Sequence, residues 1–151
     1  MDLDKVLTKA ESQVLDEAYS SLQRSHGTHY ESAGEAFTRQ RLSDLFNLVV
    51  AAVRDRDLAE VSAYSERVAV ERFDSGFDVS EVQTAFNALD EAMWRCVVSA
   101  VPPADLVEAI GLLSTVLGFG KDALARKYVS LASRRHVPSL DLSALFSGTS
   151  S

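Results

Sequence analysis

Apolar side chains return every three or four positions through most of the chain, the spacing that lines one face of a helix. Residues 3–24 put Leu3, Leu7, Ala10, Val14 and Ala18 on one stripe, which predicts an amphipathic first helix. SHGTHYESAG, residues 25–34, interrupts the pattern with two glycines and small polar side chains. Residues 35–54 resume it through Phe37, Leu42, Leu45, Phe46, Val49 and Val53, an arc wide enough to predict burial on more than one side. DRDLAE is a short connection, and Asp57 followed by Glu60 has capping-box spacing. A third helix is predicted over 58–75 through Leu58, Val61, Tyr64, Val68 and Phe73.

Gly76 then stands where a left-handed cap is needed, because a side chain there meets steric cost. Asp78 and Glu81 repeat the capping-box spacing and open a fourth helix along Val82, Ala85, Phe86, Leu89, Met93, Val97 and Ala100. VPP, residues 101–103, ends it, and Pro103 suits the first turn of a fifth. That segment runs from 104 to about 135 through Leu106, Ile110, Leu113, Leu117, Gly120, Leu124, Tyr128 and Leu131. Gly111, Gly118 and Gly120 each weaken it by ~1 kcal/mol relative to alanine, so a bend near 118–120 or a close helix approach is expected. The tail HVPSLDLSALFSGTSS, with Leu140, Leu142, Leu145 and Phe146, is expected to be partly mobile. No strand alternation stands out. The pattern predicts an all-α fold, a single bundle of about five main helices over 1–135 with a tail over 136–151.

Composition agrees with one folded domain: 151 residues, 46 % of them hydrophobic and 25 % charged, are enough to close one core. No uninterrupted apolar run approaches the ~18 residues of a membrane span, and MDLDKVLTKAESQ lacks a signal-peptide core. A single cysteine, Cys96, cannot pair within the chain, so a cytoplasmic setting is expected. The net charge of −7 is uneven: residues 1–110 carry 10 basic and 20 acidic side chains, and 111–151 carry 5 and 2. An acidic body repels phosphate backbones, which argues against nucleic acid as the main partner.

VAVERFDSGFDVSEVQTAFNALDEAMWRCV, residues 68–97, also has the outline of a helix-turn-helix. The residue four before the turn glycine is Arg72, where close packing calls for something small, and the would-be reading face carries Glu81 and no cation before Arg95. Two packed helices of a bundle is the better reading. His26 and His29 in HGTHY hint at a metal pair but lack further ligands nearby, so no metal is expected. Haem ligation in the globin manner has no histidine to use between 30 and 135, although a globin-like helical shape without haem is compatible. Cys96 reads as a core cysteine, no nucleophile elbow is present, and GFGK lacks the spacing and preceding strand of a phosphate loop. No catalytic residue and no cofactor is expected.

Four side chains remain as ligand or partner candidates. Trp94 lies one step off its stripe and is expected at the core edge in preference to an exposed hot spot. Arg72 could pair with Glu71 or Asp74, cap a carbonyl or bind an anion, with pairing favoured. Tyr64 and Tyr128 could line a gap in the bundle, with core packing favoured.

ERFDSGFDVSEVQTAFNALDEAMW resembles the centre of the amino-terminal domain of RsbRD-type RsbT co-antagonists, a helical input module of bacterial stress signalling. The resemblance rests on Arg72, Gly76, Phe77, Val79 and the run from Glu81 to Val97, and the flanking helices extend it over roughly 3–135. In that family an output domain, STAS or kinase, usually follows; within these 151 residues none is expected. The resemblance implies a non-enzymatic signalling module, acting alone or docking a protein partner, with no known ligand to transfer. The fifth segment is the candidate homodimer seam. The alternative is a sensor bundle holding an apolar effector between the third, fourth and fifth segments.

Overall fold

The computed structural model describes residues 2–25 and 28–140, and among them every regular element is a helix. The elements are α1 Leu3–Lys9, α2 Glu11–Arg24, α3 Thr28–Ala33, α4 Glu35–Asp55, α5 Ala59–Asp74, α6 Val79–Ala100 and α7 Pro103–Leu140. The last four match the segments read from the apolar spacing, with α7 running a little past its expected end. His26 and the tail from residue 141 lie outside the described residues.

Two elements differ from the sequence reading. The first segment is two helices, because the backbone leaves helical geometry at Ala10 (φ −99°, ψ 11°). Leu7 and Val14 are both buried on either side of that joint, so the apolar stripe runs through the break without marking it. The glycine-containing stretch expected as a loop contains α3, which buries Tyr30. Gly34, at φ +94°, separates α3 from α4 in a conformation that glycine adopts without strain.

The capping box expected at Asp57 and Glu60 gives way to a simpler cap. The N-cap of α5 is Leu58, and the Asp57 carboxylate accepts the Ala59 amide at 2.9 Å. Arg56, left-handed at φ +52°, turns the chain out of α4 just before.

α5 and α6 are neighbours in sequence but pack mainly on other helices: α5 lies along α7, and α6 lies between α2 and α7. They are two legs of one bundle and not a closely packed pair. α4 closes the side against α1, α2 and α7. Leu89 and Met93 of α6 share a continuous core with Leu113, Leu117 and Leu124 of α7 and with Phe46 and Val49 of α4. Of the α7 glycines, Gly120 lies against α5 and α6, with Val61, Ser65 and Phe86 within 3.2–3.4 Å of where a side chain would begin. Gly111 and Gly118 face open space.

By length and composition Pro103–Arg134 could cross a membrane, with a mean hydropathy of 1.3 in its most apolar stretch. Of that stretch 28 % is buried, the inward stripe that joins this core.

Candidate functional site

The polar chemistry converges where α5 hands over to α6. The amide of Phe77 donates to the Arg72 carbonyl at 2.9 Å and that of Gly76 to the Phe73 carbonyl at 3.1 Å. This pair of bonds is the Schellman ending of a helix, and Gly76 takes the left-handed conformation it demands, φ +85°. Asp78 and Glu81 then form the expected capping box at the start of α6.

The Schellman ending brings the residue after the glycine against the last turn of the helix. Here that residue is Phe77, and the side chain it covers is Arg72, only 2 % exposed. The guanidinium lies over the Phe77 ring at 5.6 Å and the Phe37 ring at 4.9 Å, a cation held by aromatic faces. Its Nη1 donates to Glu71 Oε1 at 2.5 Å, the pairing the sequence favoured. Its Nε–H is buried with no acceptor.

Phe77 is the centre of an aromatic cluster. Tyr30 meets it edge-on at 4.8 Å, His29 lies 5.0 Å away and Phe37 6.4 Å. The Tyr128 hydroxyl donates to the Phe77 carbonyl at 3.2 Å, so Tyr128 ties α7 to the turn. Burial pushes the Tyr128 pKa up, as expected for a phenol that serves as a buried donor.

Glu81 joins α3 to α6. One carboxylate oxygen takes the His29 amide at 3.0 Å; the other takes the His29 ring Nδ1 at 2.6 Å and the Asp78 amide at 3.2 Å. A carboxylate has no proton to give, so Nδ1 carries the hydrogen. Burial works to raise the Glu81 pKa, but the amides of His29 and Asp78 and the His29 ring outweigh it and hold the pKa below 4.5. A depressed pKa stabilises the fold above the unfolded value and is lost as pH falls through the folded one. Glu81→Gln is therefore expected to cost about 1–2 kcal/mol at pH 5, where the charge-assisted bonds exist. In thermal melts the gap between it and the parent should narrow as pH falls below 4.5 and through the folded-state pKa, because the parent carboxylate is then being neutralised.

A small cavity of about 20 Å³ lies beside this junction, among α2, α3, α4, α5 and α6. Arg72, Tyr64, Arg41, Thr38 and Tyr30 line it, with leucine, valine, alanine and phenylalanine side chains completing the wall. Burial, with a lesser contribution from the nearby Asp44 charge, pushes the Tyr64 pKa up to about 12. Arg41 lies over the same aromatic cluster, 5.4 Å from the Phe37 ring, and its Nε–H is also buried without an acceptor. Leu22, Tyr30 and Thr38 separate the cavity from a larger surface cleft of about 340 Å³. Tyr19, Gln23, Glu31 and Glu35 form the outer part of that cleft.

The structure thus gathers Arg72 and Tyr64 at one cavity and sets Gly76, Asp78, Glu81 and Tyr128 around its supporting turn. Trp94 is elsewhere. It stands on the outer face of α6, 46 % exposed and one turn from the similarly exposed Val98, so the core-edge expectation is corrected. One step off the stripe rotates a side chain about 100° away from the core, enough to expose the indole here. At Gly120, within the region where the alternative sensor reading puts an apolar effector, α7 lies tight against α5 and α6. Lys121 of the GFGK stretch is engaged by Asp90 at 2.8 Å.

Sequence reading missed His29, Tyr30, Thr38 and Arg41. His29 enters the sequence reading only as half of a hinted metal pair, and the structure makes it Glu81's partner. Among the described residues no cluster of metal-binding side chains occurs. The available signal was the Schellman geometry itself: an arginine at that position must be covered by the residue after the glycine, and a covered cation needs further partners.

The family model for the RsbT co-antagonist protein rsbRD N-terminal domain matches residues 11–138. That span contains α2 to α6 and most of α7, including the whole Arg72–Glu81 junction. No curated protein and no solved structure matches the chain. With most of its length matched, the chain belongs to the family of RsbT co-antagonist rsbRD N-terminal domains.

Proposed function

We propose that this signalling-family domain is a non-catalytic, cytoplasmic input module of a stress-response pathway, working through protein contacts and pairing with a second copy of itself along α7. The partner in this reading is protein, neither nucleic acid nor membrane. The observation that carries the pairing is the outer face of α7. Its inward stripe is spent on the core, but Val107 and Val129 on the far side are 85 % and 66 % exposed. They lie eleven residues to either side of Gly118, which is three helical turns and so the same face. An antiparallel copy crossing at Gly118 would set each Val107 against the other's Val129, the self-complementarity that a two-fold interface needs. Gly111 and Gly118, open around their α-carbons, would let the backbones approach. Trp94 and Val98 form a second exposed apolar strip, of the kind that anchors protein interfaces.

Cysteine pairing tests the register. In a Cys96→Ser background, mixing Val107→Cys with Val129→Cys chains is expected to give a disulfide-linked pair under mild oxidation, because antiparallel geometry brings the two positions within bridging distance. Neither single variant should link to itself. Self-linking of Val129→Cys would contradict the antiparallel seam, and no linking in any combination would contradict pairing through α7.

A further inference from the structure

We propose that the cavity at Arg72 and Arg41 is a binding site for the carboxylate of a small monoanionic acid, whose apolar body occupies the adjoining cleft. This goes beyond the pairing along α7 and does not depend on it.

The cavity brings two guanidinium groups together with the hydroxyls of Tyr30, Tyr64 and Thr38, and no carboxylate is among its lining residues. Both guanidinium groups present a buried Nε–H with no hydrogen-bond partner. The Tyr30 hydroxyl is within hydrogen-bonding reach of the Arg72 guanidinium, but neither Nε–H is satisfied. Glu71 Oε1 is 2.5 Å from Arg72 Nη1 but 4.0 Å from Arg41 Nη1, and its side chain is about half exposed. Asp44 Oδ2 lies 3.7 Å from Arg41 Nε, too far for a hydrogen bond. The Thr38 hydroxyl donates outward, to the backbone carbonyl of Gly34 at 3.0 Å, and so can still accept. Buried polar groups are otherwise almost always satisfied, and an unsatisfied donor on a buried cation is costly. Two such donors at one cavity call for an acceptor of opposite charge. A carboxylate supplies two oxygens, one for each Nε–H, and guanidinium recognises it well.

Size and charge narrow the ligand. About 20 Å³ is room for one water-sized group, so only the head of a ligand fits there. The cleft of about 340 Å³ beyond Leu22, Tyr30 and Thr38 falls within the range of small-molecule sites. A rotation of the Tyr30 or Leu22 side chain would join the two spaces. Glu35 in that cleft is ion-paired with Arg39 at 3.6 Å. A compact monocarboxylate, with one charged head for the guanidinium groups and an apolar body for the cleft, fits the two spaces.

Sodium benzoate is a suitable probe, with benzyl alcohol as its uncharged counterpart and sodium chloride as the ionic control. Benzoate is expected to shift the Arg41 and Arg72 Nε–H resonances together and saturably, and to raise the melting temperature, while neither control does. Arg41→Gln, at a side chain about a third exposed, keeps the core intact and should weaken benzoate binding about tenfold or more, the loss expected of one charge-assisted hydrogen bond. Arg72→Gln should weaken it further where it folds. Benzyl alcohol acting as strongly as benzoate would overturn the proposal, because recognition would then be apolar alone. Nε–H signals unmoved by benzoate up to its solubility limit would overturn it too, as would unchanged affinity in Arg41→Gln.

Discussion

Leu89→Ala is expected to destabilise the domain by about 2–5 kcal/mol, the range for emptying a leucine site that cannot collapse. Leu89 is fully buried on α6, the helix held between α2 and α7. Rigid neighbours on both sides leave little room for relaxation, which is what pushes the cost upward. In urea the midpoint should fall with the slope unchanged, since the area exposed on unfolding hardly differs. Val98→Ala on the exposed face of the same helix should change stability by no more than about 0.5 kcal/mol. Equal effects from the two would mean that α6 does not occupy the centre.

Gly120→Leu carries the second large effect, about 1–3 kcal/mol of overpacking. A first side-chain carbon at this position would already stand 3.2 Å from Val61, 3.3 Å from Ser65 and 3.4 Å from Phe86. Alanine gives an ambiguous result, because the tight contacts oppose the ~1 kcal/mol that alanine gains over glycine in a helix. Leucine has no such compensation. Its branches would have to displace α5, whose Ser65 is fully buried at the crossing. Calorimetry should show a lowered melting temperature with the helical circular dichroism retained; an unchanged melting temperature would mean that α7 does not cross α5 at Gly120.

Much of this fold was legible along the chain. The spacing of Val82 through Val97 predicted α6, and Gly76 with Asp78 and Glu81 located the turn and its caps. Such signals are local: a helix reports its buried face every turn, and a cap reports itself within four residues. The break at Ala10 was illegible because neither glycine nor proline marks it and the stripe continues across it. α3 was hidden by the glycines that flank it, and its reason for forming, the burial of Tyr30 against Phe77, is a contact between residues far apart in sequence. The candidate cavity was half legible for the same reason. Arg72 and Tyr64 stood out on their own helix, but Thr38 and Arg41 arrive from α4, and no periodicity announces which helix a buried arginine will face.

Pairing along α7 is the functional claim from which the rest of the signalling reading extends, and sedimentation velocity of the purified chain tests it most directly. A species of twice the 16.4 kDa chain mass is expected, dissociating on dilution and converted to monomer by Gly118→Arg with the melting temperature otherwise preserved. A monomer at every concentration, or a dimer indifferent to Gly118→Arg, would contradict it.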